Sequence, residues 1–282
     1  MSTAVVNARP YGKWARQLKQ LVRMDYPYHF FTRRSIWLYL LAFAPVAISA
    51  IYASVQLYRG PFNTLGNEVF SFAGTMQLLY LRFLVFFGCL AVGTFLVRGE
   101  VLSKTLHYYY LAPIRREVFY LSRFFVGWIA TSTVFSLSVT ATYILALGHR
   151  GSQFWNFFWQ GQGLANLLDY LLMTVLACAG YGAIFLLASL YVKNPLIPGA
   201  AVFAWESASP VLPLWMQKFT VVYYLKSLSP VDVPVTGVLA LLVSPLEPVP
   251  RWISVLGLLA LVLLALAAGA WRIRRNEIDY SD

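Results

Sequence analysis

Six apolar runs, each about as long as a membrane-crossing helix, divide this 282-residue chain and leave it almost one way to fold. The hydrocarbon core of a bilayer is about 30 Å thick, and a helix needs about 20 apolar residues to cross it. Within that core every backbone N–H and C=O must find its partner inside the protein, which favours helices. The runs cover 35–57, 77–97, 118–147, 164–192, 196–215 and 254–271. Only 12 % of the residues are charged, where a soluble domain carries about 25 %. Aromatic residues reach 17 %, in keeping with the preference of Trp and Tyr for the bilayer boundary.

The net charge of +11 would suggest nucleic acid in a soluble protein. Here the basic residues flank apolar runs, which points to cytoplasmic loops and anionic lipid headgroups, and no nucleic-acid partner is expected. With the N-terminus inside, most of the 22 Lys and Arg fall on the cytoplasmic side, and an even number of spans places both termini there. No signal peptide is expected, because the stretch before the first run is too charged for an h-region. Cys89 and Cys178 both lie inside apolar runs and read as small buried hydrophobes, not as a disulfide.

Before the first run, "YGKWARQLKQLVRM" places Trp14, Leu18, Leu21 and Val22 at i, i+4, i+7 and i+8. Lys13, Arg16, Lys19 and Arg23 mostly take the other side. That pattern predicts an amphipathic helix in the cytoplasmic interface. Between the fifth and sixth runs, 209–251 is apolar but repeatedly broken by proline, and a partly re-entrant external segment is expected. The expected organisation is a cytoplasmic and interfacial N-terminal region (1–34), a single six-helix transmembrane domain (35–271) and a cytoplasmic tail (272–282). The fold class is all-α integral membrane protein.

Motifs for chemistry are absent. There is no G-x-x-x-x-G-K-[ST], H-E-x-x-H or G-x-S-x-G, and His29, His107 and His149 are scattered over separate segments. No enzymatic activity, metal or cofactor is expected in this chain, so function must come from binding or conformational change.

Residues 98–124, "RGEVLSKTLHYYYLAPIRREVFYLSRF", form a hairpin between the second and third spans. In its first half Leu102, Leu106, Tyr109 and Tyr110 recur at i, i+4, i+7 and i+8, giving a short helix with an aromatic face. Pro113 ends that helix, and "IRREVFYLSRFFVG" begins the next. Large aromatic anchors are typical of docking hot spots.

This stretch resembles the type-2 ABC transporter permeases, whose hairpin reads like E-R-E-x-G-T-L-x-x-L-L-x-x-P-[IV]-x-R. Glu100 takes the first acidic place, Thr105 and Leu106 match the Thr-Leu pair, and Pro113 with Ile114 match the Pro-aliphatic pair. Arg116 matches the basic residue, and Arg123 stands where the family usually has lysine. Leu102, Lys104 and the run Tyr108–Tyr110 depart from the pattern. The resemblance implies a coupling helix within 98–117 that docks a separate ABC ATPase subunit, with Glu100, Thr105, Leu106, Tyr109, Tyr110, Pro113 and Arg116 as coupling residues. It further implies a second permease protomer, identical or related, with ATP and Mg held by the ATPase, and a location in the inner membrane. The function implied is ATP-driven export, and a pathway rich in aromatic and aliphatic residues points to an amphipathic or hydrophobic substrate. A non-transporting membrane anchor that docks a cytoplasmic partner is the alternative, and an ion-driven secondary transporter, which calls for internal repeats, ranks behind both.

Arg82, Asp169 and Glu206, within or near the spans, need a reason, since a charge at mid-bilayer costs about 2.5–3.5 kcal/mol. Arg82 is expected near the outer edge of the second span, able to snorkel. Asp169 is expected at the outer start of the fourth span, with Arg82 as a candidate partner. Glu206, followed by Ser207, is expected near the midplane of the fifth, where it either meets substrate or packs the bundle. Arg82, Asp169, Glu206 and Ser207 are the candidate pathway residues. The small residues of "ACAGYGA" (177–183) suit close helix packing.

Overall fold

The computed structural model describes residues 11–30, 35–60, 63–102, 116–192, 194, 196–231, 233 and 249–275. The described residues are helical with short connections and no strand. Helix α1 covers Tyr11–Phe30 and α2 covers Ile36–Arg59; α3 (Leu65–Thr75) runs through a π-helical stretch, Met76–Leu84, into α4 (Val85–Leu102). Then come α5 (Arg116–Gly148), α6 (Ser152–Gln160), α7 (Gly163–Ala188), α8 (Leu196–Ala208), α9 (Leu214–Gln217), α10 (Val221–Leu228) and α11 (Arg251–Arg275).

Five helices are long and apolar enough to cross a membrane: Ile36–Arg59, Leu65–Leu96, Arg116–Gly148, Gly163–Ala188 and Arg251–Arg274. The chain is a membrane-embedded helical protein. The fifth expected span is the exception. Its helix, α8, has 13 residues, about 20 Å at 1.5 Å per residue, too short for a 30 Å core. Proline explains the stop. Ser209-Pro210 tightens into a 3₁₀ turn, and Pro213, which has no N–H to continue a ladder, opens the short α9. The short helices α9 and α10 agree with a broken segment there; residues 234–248 lie outside the described residues.

The second span also differs from expectation, starting at Leu65 and not near residue 77. Thr64 caps it, its hydroxyl accepting from the Asn67 N–H at 3.4 Å, and Gly60 at φ +85° ends α2 before it. The polar pair Asn67–Glu68 hides this first turn from a hydropathy reading.

Helices α5 and α7 form the centre, with 56 % and 61 % of their apolar windows buried, while α2 and α11 at 22 % and 28 % are peripheral. Helix α4 packs on α7 and α5, α2 on α5, and α11 on α7 and α5. Hydrogen bonds between helices reinforce this packing, as expected where apolar burial gives little drive. The Tyr80 hydroxyl lies 2.8 Å from Ser138 Oγ and 2.6 Å from Thr142 Oγ1, and Ser138 in turn donates to the Ala42 carbonyl. Trp128 Nε1 donates to the Val175 carbonyl at 3.0 Å. Cys89 and Cys178 are both buried and free.

Gly88 marks the tightest approach of α4 to α5. A Cβ there would sit 2.5 Å from Cζ of Phe135, a ring with no exposure. Gly88→Ala is therefore expected to cost about 1–3 kcal/mol by overpacking, seen as a lower thermal midpoint in detergent.

Helix α1 presents the expected face. Leu21 is buried, Trp14, Leu18 and Val22 are half-buried, and Arg16, Lys19 and Arg23 are exposed. It lies along α5.

Candidate functional site

Three polar centres sit at three depths of the bundle. The first is at the end that carries α1. There Asp25 follows Leu18 and Leu21 on the buried side of α1, and its Oδ2 meets the Arg123 guanidinium at 3.1 Å. Neither side chain is exposed by more than 5 %. Arg123 also stacks over the Phe119 ring at 4.7 Å. Burial pushes the Asp25 carboxyl above its ordinary range, and the Arg123 charge opposes that shift. Nearby, Glu117 pairs with Arg274, joining the first turn of α5 to the last turn of α11. Both pairs draw on the second limb of the hairpin. Glu100 is in α4 with its side chain outside the described residues, as are Thr105, Leu106, Tyr109, Tyr110 and Pro113 altogether. Arg116 is the exposed first residue of α5.

The second centre is at mid-depth. Arg82 falls close to the middle of Leu65–Leu96, about 26 Å of helix from one end and about 21 Å from the other. The helix begins one dozen residues earlier than hydropathy suggested, so Arg82 lies near the middle of the helix. Arg82 lies in the π-helical stretch, where the Val85 N–H bonds the Tyr80 carbonyl five residues back. Its charge acts on Glu206, ten residues into α8.

Glu206 is 4 % exposed and fully engaged. One carboxylate oxygen accepts from the Val221 N–H at 2.8 Å and the other from the Val222 N–H at 3.0 Å. These are the first amides of α10, so the carboxylate satisfies free donors at a helix N-terminus and complements its dipole. Thr220 completes the cap, accepting from the Tyr223 N–H at 3.3 Å. Gln77 in the π-helical stretch donates to Ser229 Oγ at 2.9 Å and to the Val231 carbonyl at 3.2 Å, holding the other end of α10. Ser207, next to Glu206, is exposed. Glu206 thus links α8 to the N-terminus of α10.

The third centre, at the end away from α1, was not read from the sequence. Glu68 in α3 takes a bidentate fork from Arg150, Nε at 3.0 Å to Oε2 and an NH2 at 2.7 Å to Oε1. His149 Nε2 lies 3.2 Å from the same Oε1. A cleft of about 220 Å³ opens beside Glu68, lined in part by Ser71, Thr75 and Thr142. Thr75 donates to its own helix at the Ser71 carbonyl and Thr142 serves Tyr80, so these hydroxyls are already engaged. Asp169 is at this end too. It pairs with Arg251 at 3.1 Å, not with Arg82. Of the four candidate pathway residues the fold therefore brings Arg82, Glu206 and Ser207 to one level and leaves Asp169 apart. No group of three or more His, Cys, Asp or Glu able to hold a metal occurs among the described residues.

The sequence did carry a signal for Asp25, which continues the Leu18–Leu21 face at helical spacing and so had to be buried. For Glu68 the partner is 82 residues away, and no local pattern announces it. No family model and no curated protein matches the chain.

Proposed function

We propose that this chain is the membrane permease subunit of an ATP-driven ABC exporter. In this reading it sits in the inner membrane with both termini cytoplasmic, and α8 with the short helices after it serves as a broken fifth span. Two protomers enclose the pathway, and two ATPase subunits, which hold ATP and Mg, dock on the hairpins at 98–117. The hairpin motif Thr105-Leu106, Pro113-Ile114 and Arg116 carries the assignment.

The observation that supports it is the joinery at the base of that hairpin. A buried ion pair fixes the interfacial helix α1 to α5, and Glu117–Arg274 fixes α11 to the same turn. A push delivered at the hairpin therefore reaches α1, α5 and α11 together. A solvated loop would need neither contact.

The aromatic run at 108–110 gives the direct test. Tyr109→Ala is expected to lower, by about tenfold, the ATP turnover that the full-length chain stimulates in a co-purified ATPase subunit, since an aromatic anchor contributes about 1.4 kcal/mol or more at a hot spot. Unchanged stimulation in a folded variant would remove the hairpin from coupling.

A further inference from the structure

Three helical stripes converge on the cleft of about 220 Å³ beside Glu68. Pro45, Ile48, Ser49 and Tyr52 recur on α2 at i, i+3, i+4 and i+7, as Glu68, Ser71, Phe72 and Thr75 do on α3. Thr142 and Ala146, one turn apart, close the cleft from α5. Its polarity changes along its length. At 1.5 Å per residue, Glu68 and Ser71 lie about 5 Å and about 9 Å into the Leu65–Leu96 helix, and Leu79 about 21 Å into it. Helix α2 runs the other way, so Tyr52 and Ser49 meet the polar end while Ile48 and Pro45 continue the apolar one. The hydroxyls of Ser49 and Ser71 bond to no described residue. Glu68, whose side chain is 3 % exposed, has an Oε2 that accepts from Arg150 Nε alone among the described residues. The Arg150 guanidinium balances its charge. A carboxylate head placed here would meet Glu68, and an ammonium head would meet Arg150, each a like charge. Open hydroxyls and a charge-balanced acceptor at one end, with an apolar wall below, match an amphiphile whose head is uncharged.

We propose that the cleft between α2, α3 and α5 is a binding site for a neutral glycerol-headed amphiphile, a monoacylglycerol. One head hydroxyl donates to Glu68 Oε2, and the head exchanges hydrogen bonds with Ser49 and Ser71. The first methylenes of the chain lie on Pro45, Ile48 and Leu79, and the rest continues into the bilayer. Thr75 and Thr142 take no part, since the first donates to the Ser71 carbonyl and the second bonds Tyr80. In the orientation proposed above the site belongs to the outer leaflet. Binding itself depends neither on that orientation nor on transport.

The test uses the full chain in phosphatidylcholine nanodiscs, with no ATPase present. A fluorescent monoacylglycerol is titrated in parallel with the carboxylate and the amine of equal chain length, each read against empty nanodiscs. The monoacylglycerol is expected to show saturable binding about tenfold tighter than either charged probe. Ser49→Ala and Ser71→Ala each remove one neutral hydrogen bond and are expected to weaken it about fivefold. Both serines are at least half-exposed or partly exposed positions where alanine keeps the helix, and the thermal midpoint checks that the variants fold. Ser49→Leu, which fills the cleft, is expected to abolish the saturable component. Carboxylate or amine binding as tight as the glyceride would overturn the proposal, as would unchanged glyceride binding in the folded double Ser49→Ala, Ser71→Ala variant. Binding no greater than in empty nanodiscs would also overturn it and leave the cleft to water. Because no ATPase is present, each of these failures would leave the coupling role of the hairpin standing. Lost ATP coupling with retained glyceride binding would do the reverse.

Discussion

Asp25→Ala is expected to destabilise the chain by about 3–5 kcal/mol, and by more than Arg123→Met does. The asymmetry follows from what each residue leaves behind. Removing Asp25 takes the carboxylate away from a guanidinium that has no exposure and does not shed its proton. Removing Arg123 strands a carboxyl that burial already pushes toward its neutral form. In Arg123→Met the opposing charge is gone, so the Asp25 carboxyl shifts further up. A carboxyl raised above its unfolded value contributes stability below the unfolded pKa and loses it as pH rises through the folded one. Arg123→Met should therefore be most stable at acid pH and weaken as pH rises. Asp25→Leu combined with Arg123→Met should recover most of the loss, since a well-packed apolar pair often equals or exceeds a buried ion pair. Thermal unfolding of wild type and these three variants across pH checks the expectations. Equal loss in both single variants would contradict the burial argument.

Glu206→Ala is the second large effect. It leaves the Val221 and Val222 amides without an acceptor, at about 1–3 kcal/mol for each buried donor. The consequence should be local. Helix α10 has eight residues and depends on its ends being held, so its amides should exchange faster with solvent while those of α5 and α7 keep their protection. Glu206→Gln retains one acceptor oxygen and should fall between wild type and Ala. Hydrogen exchange resolved at Val221 and Val222 checks both. If α10 exchanges no faster in Glu206→Ala, the link is wrong and the pathway reading of Glu206 is favoured.

These two residues also show what a sequence can and cannot reveal here. Apolar run length located all five membrane-length helices, because it reports the dominant free-energy term at each position. Helical spacing found the buried side of α1 for the same reason. The start of the helix that carries Arg82 was misjudged, since Asn67 and Glu68 depress hydropathy over its first turns, while Arg150 from the turn after α5 pairs with the buried Glu68. Hydropathy likewise cannot tell a full span from a half helix; in α8 the deciding signals were Pro210 and Pro213, both visible but outweighed by the apolar residues around them. Partners far apart in the chain, such as Asp25 with Arg123 and Asp169 with Arg251, depend on the packing of whole helices. Only the assembled bundle shows them.

Directional transport is the centre of the account. Proteoliposomes holding the full-length chain and its co-purified ATPase subunit, supplied with ATP and Mg on the ATPase side, measure it directly with a panel of labelled amphiphiles. The account predicts movement of the label that requires ATP, scales with its turnover and disappears in Tyr109→Ala. An ATPase that binds the chain and hydrolyses ATP while no amphiphile crosses the bilayer would contradict it, and would make the chain a membrane anchor.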